Sequence, residues 1–272
     1  MSATTPPIGT TFGSTSLFRE ALVIAGRTLL HWRAQPGLIA VNLLFPVMIL
    51  LMMGGLFGGA VAGSTGDYFV YVLPGVLALN MMFGIEATMT ALASDANKTV
   101  TDRFRSLPIS GGAVLLGRVL ADLLTSVVEL VALSCAGFLL GWRWENGILP
   151  ALAAYALLLT LRFSMLWLGV FIGIRAGKPE ALMGVQILVW PIGFLSTVFI
   201  DPRTMPTFLG WIAELNPISA VATSARELFS GRQIEGVSWA ATHALPYALI
   251  SQAVLVAVFA ALGVRAYRRL GQ

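Results

Sequence analysis

Charge is what this chain has least of: Asp, Glu, Lys and Arg make up 11% of its 272 residues, where a soluble domain carries about 25%. Together with a 57% hydrophobic content, that shortage excludes a soluble globular domain and indicates an all-α integral membrane protein. Cysteine is nearly absent too. Cys135 is the single one, which rules out an internal disulfide or a thiolate metal cluster. The two histidines, His31 and His243, stand far apart in the sequence, so no metal-ligating pair is offered. No GxSxG, HExxH or CxxC motif occurs, and the one Gly-Lys, Gly177-Lys178, is followed by Pro179 rather than Ser or Thr. A phosphate-cradling P-loop is therefore missing, and no catalytic residue, cofactor or metal is assigned to the chain. The 17 Lys and Arg lie at the ends of apolar runs instead of forming one basic patch, which argues against nucleic acid as a partner.

What is present is a series of long apolar runs. Met1 to Ser16 is rich in Thr, Ser, Pro and Gly, without the basic and apolar regions of a secretory signal, and is expected to be a disordered cytoplasmic N-terminus. From Leu17 to Arg33, Phe18, Leu22, Ala25, Leu29 and Trp32 recur at helical spacing, with Glu20, Arg27 and His31 opposite. That pattern predicts an interfacial amphipathic helix lying on membrane lipid. Six runs then approach the roughly 20 apolar residues that cross a bilayer core: Leu38 to Ala60, Tyr68 to Leu92, Val114 to Gly141, Ile148 to Ile174, Ala181 to Ile200, and Ala244 to Val264. The expected fold is six transmembrane helices in one domain, residues 17–272.

An even number of spans puts both termini on one side. Twelve Lys and Arg fall on that side, Arg143, Arg203, Arg226 and Arg232 on the other, and Arg162 within a span. The positive-inside rule then makes the termini cytoplasmic and places Asp201 to His243 outside. In this outer stretch Pro202, Pro206 and Pro217 bracket two moderately apolar segments, TFLGWIAEL and ISAVATSARELF. Each is too short to span, and short re-entrant helices are expected in preference to an ordinary surface loop.

Polar residues in and between the spans are few enough to name. Ser94 to Ser110 carries Asp95, Lys98, Asp102, Arg103 and Arg105 between two apolar runs and ends at Leu107-Pro108. A short cytoplasmic helix stopped by proline is the natural reading, with a plain solvated loop as the alternative. Glu86, Asp122, Glu129 and Arg162 lie within spans, where a charge is costly and faces protein or a water-filled cavity. Depth alone pairs Glu129 with Arg162, since each lies about fifteen residues into adjacent antiparallel spans. A proton relay, an ion site and plain helix-to-helix contacts remain open for this set. Gly169, Gly173 and Gly177 recur every fourth residue as a small-residue face. Gly54, Gly55, Gly58 and Gly59 suggest a close contact or a loosened helix end. Met48, Met52, Met53, Met81, Met82 and Met89 fit either ordinary packing or an adaptable substrate path.

Three stretches resemble one family. Tyr71-Val72-Leu73-Pro74-Gly75-Val76-Leu77-Ala78 is similar to the LPG signature in the second span of ABC-2 type permeases. Arg103-Phe104-Arg105-Ser106-Leu107-Pro108-Ile109-Ser110 resembles their cytoplasmic loop, and Leu215-Asn216-Pro217-Ile218-Ser219 with Arg226 resembles their outer motif. The likeness covers essentially the whole chain and is closest to the daunorubicin-resistance type of drug and antibiotic exporters. It implies a permease subunit in the bacterial cell membrane that pairs with a second permease and binds separate ATPase subunits, which hold the ATP and Mg. It also implies a coupling helix carrying Asp102, Arg103, Phe104, Arg105, Leu107 and Pro108, and a hydrophobic small-molecule substrate. Export of lipid or polysaccharide, and ion-coupled transport through Glu86, Asp122 and Glu129, stand as alternatives.

Overall fold

The computed structural model describes residues 19, 22–23, 25–26, 30, 34, 36–62, 65–97, 111–231, 236 and 238–269. Among these, every regular element is helical: α1 Pro36–Ala62, α2 Thr65–Asn97, α3 Gly111–Leu139, α4 Ile148–Ala176, α5 Met183–Phe194, α6 Thr207–Leu215, α7 Pro217–Ser230, α8 Trp239–Thr242 and α9 Ala244–Arg269. Short 3-10 turns at Pro179–Leu182 and Pro202–Thr204 precede α5 and α6.

Four helices are long and apolar enough to cross a membrane, over Tyr68–Ser94, Leu115–Leu139, Ile148–Ala176 and Ala244–Tyr267. The other two expected spans coincide with shorter apolar helices, Leu43–Gly58 within α1 and Glu180–Phe194 across α5. The fifth run, read from the sequence as continuous to Ile200, stops being helical after Phe194. Pro191 inside its last turn has no N–H to give. Most of the amphipathic N-terminal stretch, and all of residues 98–110 with the expected coupling residues, lie outside the described residues.

The helices surround α2. It packs on α1, α3, α4 and α7, and 83% of its most apolar stretch is buried within the chain against 17% for α9. An apolar helix that other helices enclose needs places where backbones can approach, and glycine supplies them. A Cβ on Gly169 would come within 2.9 Å of the Ile85 carbonyl, and one on Gly173 within 2.6 Å of the Met89 carbonyl, so both glycines let α4 lie against the α2 backbone. Gly177, the third member of the sequence repeat, has a different job. Its φ of +66° makes it the left-handed cap of α4, donating its N–H to the Gly173 carbonyl. Of the glycines in α1, Gly54 accommodates the Phe69 ring while Gly55 meets nothing within 4 Å. The methionines divide between core and periphery: Met81, Met82 and Met89 are buried, and Met48 and Met52 are about half exposed on the outer face of α1.

At the end of the molecule where α3 turns into α4, Trp142 is buried against Phe138, Trp144 and Phe229. There the backbone N–H groups of Glu145 and Asn146 both donate to the Phe229 carbonyl. The C-terminal end of α7 is thereby tied to the α3–α4 turn. Substituting Gly173→Leu is expected to force α4 off α2 and to cost at least the about 1–3 kcal/mol of an overpacked core, read as a lower thermal unfolding midpoint of the detergent-purified protein. Gly55→Ala, where a Cβ meets nothing within 4 Å, should not lower that midpoint.

Candidate functional site

Two buried polar assemblies stand out in this apolar molecule. The first lies where α5 gives way to irregular backbone between Leu195 and Asp201. Carbonyl groups freed there need donors, because a lipid surround offers none. Arg226, on α7 and 4% exposed, supplies two of them. Its Nη2 donates to the carbonyls of Thr197 and Val198, each at 2.8 Å, and its Nε to the Tyr71 carbonyl at 2.7 Å. The guanidinium carbon also sits 4.0 Å from the centre of the Tyr71 ring, within cation–π range. Tyr71 donates its hydroxyl to Thr197 O at 3.0 Å, and Tyr68 donates to Phe199 O at 3.1 Å. Gly75 makes this possible, since a Cβ there would fall 2.7 Å from the Val198 carbonyl and 2.8 Å from Arg226 Nη2.

Asn216 performs the matching task at the other end of the same break. Its Nδ2 donates to the carbonyls of Ile192 and Leu195 at 2.8 and 3.0 Å, while its Oδ1 accepts from the N–H of Ile218 at 3.0 Å and so caps α7. Pro217 follows at the first helical position, where a missing N–H costs nothing. Asn216 and Arg226 of the outer motif thus converge on one stretch of backbone, with Gly75 of the LPG stretch opposite. Beside it Asp201 caps the Pro202–Thr204 turn and pairs with Arg203 at 2.7 Å. Burial pushes the Asp201 carboxyl up, but the hydrogen bonds and charge of Arg203 outweigh it and hold the group below its ordinary range.

The second assembly lies within the helices. Arg162 on α4 is 6% exposed, and its Nη1 stands 3.7 Å from Glu129 Oε2 on α3. That is an ion pair but too long for a direct hydrogen bond. Asn80 on α2 joins the two, accepting from Arg162 Nη1 through its carbonyl at 3.4 Å and donating from Nδ2 to Glu129 Oε2 at 3.3 Å. Gly84 admits the guanidinium, for a Cβ there would collide with it. Asp122 is held apart from the pair, accepting from Thr88 Oγ1 at 3.0 Å. Glu86 makes no hydrogen bond among the described residues, although its Oε1 is fully buried.

Glu86, Glu129, Arg162 and Asn80 line one cavity of about 290 Å³. Its other wall is aromatic: Phe83 and Trp190 have ring centres 4.7 Å apart, and Phe45 approaches Trp190 at 5.8 Å. The structure therefore brings three of the four intramembrane charges to one space and leaves Asp122 elsewhere. Asn80 was missed in the sequence although the depth argument used for Glu129 would have found it. The aromatic wall has no sequence signal, because its rings come from three helices.

A multi-helix membrane protein with a charged, partly aromatic cavity and a broken apolar helix stitched by an arginine is the class defined by this geometry. Residues 19–229 match the ABC-2 type transporter family, and the chain belongs to that family of membrane permeases. It is 38% identical over 249 residues to a daunorubicin resistance ABC transporter permease protein of Streptomyces coeruleorubidus, covering 89% of this chain and 86% of the relative. A probable doxorubicin resistance ABC transporter permease protein of Mycobacterium tuberculosis is 19% identical over 216 residues, 78% of this chain and 77% of the relative. A putative transport permease of Pyropia yezoensis is 24% identical over 222 residues, 80% and 76% of the two chains.

Replacing Arg226 by Ala removes a charged donor from the carbonyls of Tyr71, Thr197 and Val198, and of these the Thr197 carbonyl keeps the Tyr71 hydroxyl. At about 1.5–3 kcal/mol for a hydrogen bond from a charged donor, the expected outcome is a sharp fall in the yield of folded protein, with Arg226→Lys recovering only part because it keeps the charge and loses the fork. In the second assembly, Glu129→Gln and Arg162→Gln should each lower the unfolding midpoint, and the double variant should regain part of the loss. A coupling of about 0.5–3 kcal/mol in that double-mutant cycle is the measurement that checks the pair.

Proposed function

We propose that this chain is the membrane-spanning subunit of an ATP-driven exporter that moves hydrophobic or amphiphilic small molecules, drugs and antibiotics among them, out of the cell. The observation that carries this reading is the 38% identity, over nearly the full length of both chains, to a permease whose name records daunorubicin resistance. The geometry is consistent with it. A cavity walled by rings on one side and by charged groups on the other suits an amphiphile, and the described helices frame it without any nucleotide-binding motif in the sequence.

In this reading α1 and the α5 region are two further spans beside the four long apolar helices, and α6 and α7 are short re-entrant helices on the outer side. The termini face the cytoplasm by the distribution of Lys and Arg. Two copies, or this chain and a related one, assemble with two ATPase subunits that bind the ATP and Mg, all in the bacterial cell membrane. The segment Asp102 to Pro108 is the coupling helix. Phe104 and Leu107 are its apolar anchors and Asp102, Arg103 and Arg105 orient the contact.

Co-expression with the ATPase subunit tests the assignment. The wild-type permease should retain the ATPase through detergent purification, and Phe104→Ala combined with Arg105→Glu should abolish that retention without removing the permease from the membrane fraction. Retention of the ATPase by the double variant would overturn the coupling role.

A further inference from the structure

Three ionisable side chains line the cavity between α1, α2, α3, α4 and α5, and they do not balance. Glu129 and Arg162 offset one another at 3.7 Å, with Asn80 bridging them. Glu86 is left as the uncompensated group, its Oε1 buried and without a hydrogen-bond partner among the described residues. A carboxylate oxygen withdrawn from water and given no donor is unfavourable on its own. The cavity is therefore chemically incomplete: it lacks a positive group or a donor next to Glu86.

The opposite wall indicates what accompanies that positive group. Phe45, Phe83 and Trp190 present ring surface to the same space, and aromatic faces favour both flat ring systems and cations. The volume of about 290 Å³ sits at the small end of the roughly 300–1,000 Å³ of ligand pockets. It fits a compact polycyclic body, not a two-chain lipid or an oligosaccharide.

We propose that Glu86 and the Phe45, Phe83, Trp190 wall form a binding subsite for an organic cation with a planar aromatic body, the carboxylate pairing with the positive group and the rings stacking beside it. This rests on the exporter reading for its physiological role, while binding itself requires neither ATP nor the ATPase. Glu86 supplies the discrimination between charged and neutral aromatics, and Trp190 and Phe83 supply affinity common to both. Arg162 is offset by Glu129 and seated over Gly84, so Glu86 is the group left to meet the ligand's positive charge.

The test uses the full-length permease alone in nanodiscs of phosphatidylcholine, a lipid with no net charge to attract the probe. Ethidium, a permanently cationic phenanthridinium, is titrated against it by fluorescence anisotropy, beside neutral phenanthridine by equilibrium dialysis at pH 8. Wild type is expected to bind ethidium saturably. Glu86→Gln should weaken ethidium about tenfold or more, as loss of one charged contact implies, and change phenanthridine less than twofold. Glu86→Asp should retain part of the preference, and Trp190→Ala should weaken both ligands. Ethidium should also raise the unfolding midpoint of wild type and not of Glu86→Gln. Absence of saturable ethidium binding to wild type, or equal affinity in wild type and Glu86→Gln, would overturn the subsite. Efflux measured in cells with the ATPase separates this failure from that of the exporter reading. Export that is indifferent to Glu86 removes the subsite alone. Binding that depends on Glu86 without any export removes the exporter reading and leaves the subsite standing.

Discussion

The fold depends on how one interruption of an apolar helix is satisfied. Between Leu195 and Asp201 the backbone leaves the helical ladder, and in surroundings that offer no water each freed carbonyl must find a donor inside the protein. Arg226, Asn216, Tyr68 and Tyr71 provide those donors from α2 and α7 and from the turn before α7. No carboxylate neutralises the guanidinium by direct pairing among the described residues; carbonyl dipoles and the Tyr71 ring do so instead. The break is thus a shared structure of three sequence-distant elements.

The same principle, that a polar group inside the helices must be enclosed by partners, explains why α2 is central. It gives the Tyr71 carbonyl to one assembly and Asn80, Gly84 and Glu86 to the other. Its contacts with α4 run through Gly169 and Gly173, so Arg162, on the same face of α4, arrives at Gly84 already aligned. Close packing of backbones and placement of the intramembrane charge are therefore one arrangement.

Much of this was legible in the sequence, and the reasons are specific. The apolar lengths of α2, α3, α4 and α9 exceed what any competing element explains, so those helices were readable from hydropathy alone. Glu129 and Arg162 were readable because depth along antiparallel helices is simple arithmetic at 1.5 Å per residue. The end of α5 at Phe194 was not, since Leu195 to Ile200 is as apolar as what precedes it, and the donors that satisfy the break come from the sequence-distant Arg226 and Asn216. Gly177 was misassigned to a packing face because spacing cannot tell a cap from a contact. The cavity was invisible for a related reason: its aromatic wall joins α1, α2 and α5, and no periodicity in one segment reports on another.

The hydrogen bonds of Arg226 go to backbone carbonyls alone, and that sets where substitutions can accumulate over evolutionary time. The carbonyls of Thr197 and Val198 are available whatever residues stand there, so as far as this contact is concerned those two positions are free to drift. Gly75 has no such freedom, because any Cβ would occupy the space shared by the Val198 carbonyl and the guanidinium. Side chains around this join can therefore change while one glycine and one arginine hold the frame. Freedom to vary and preservation of architecture fall to different residues of one contact.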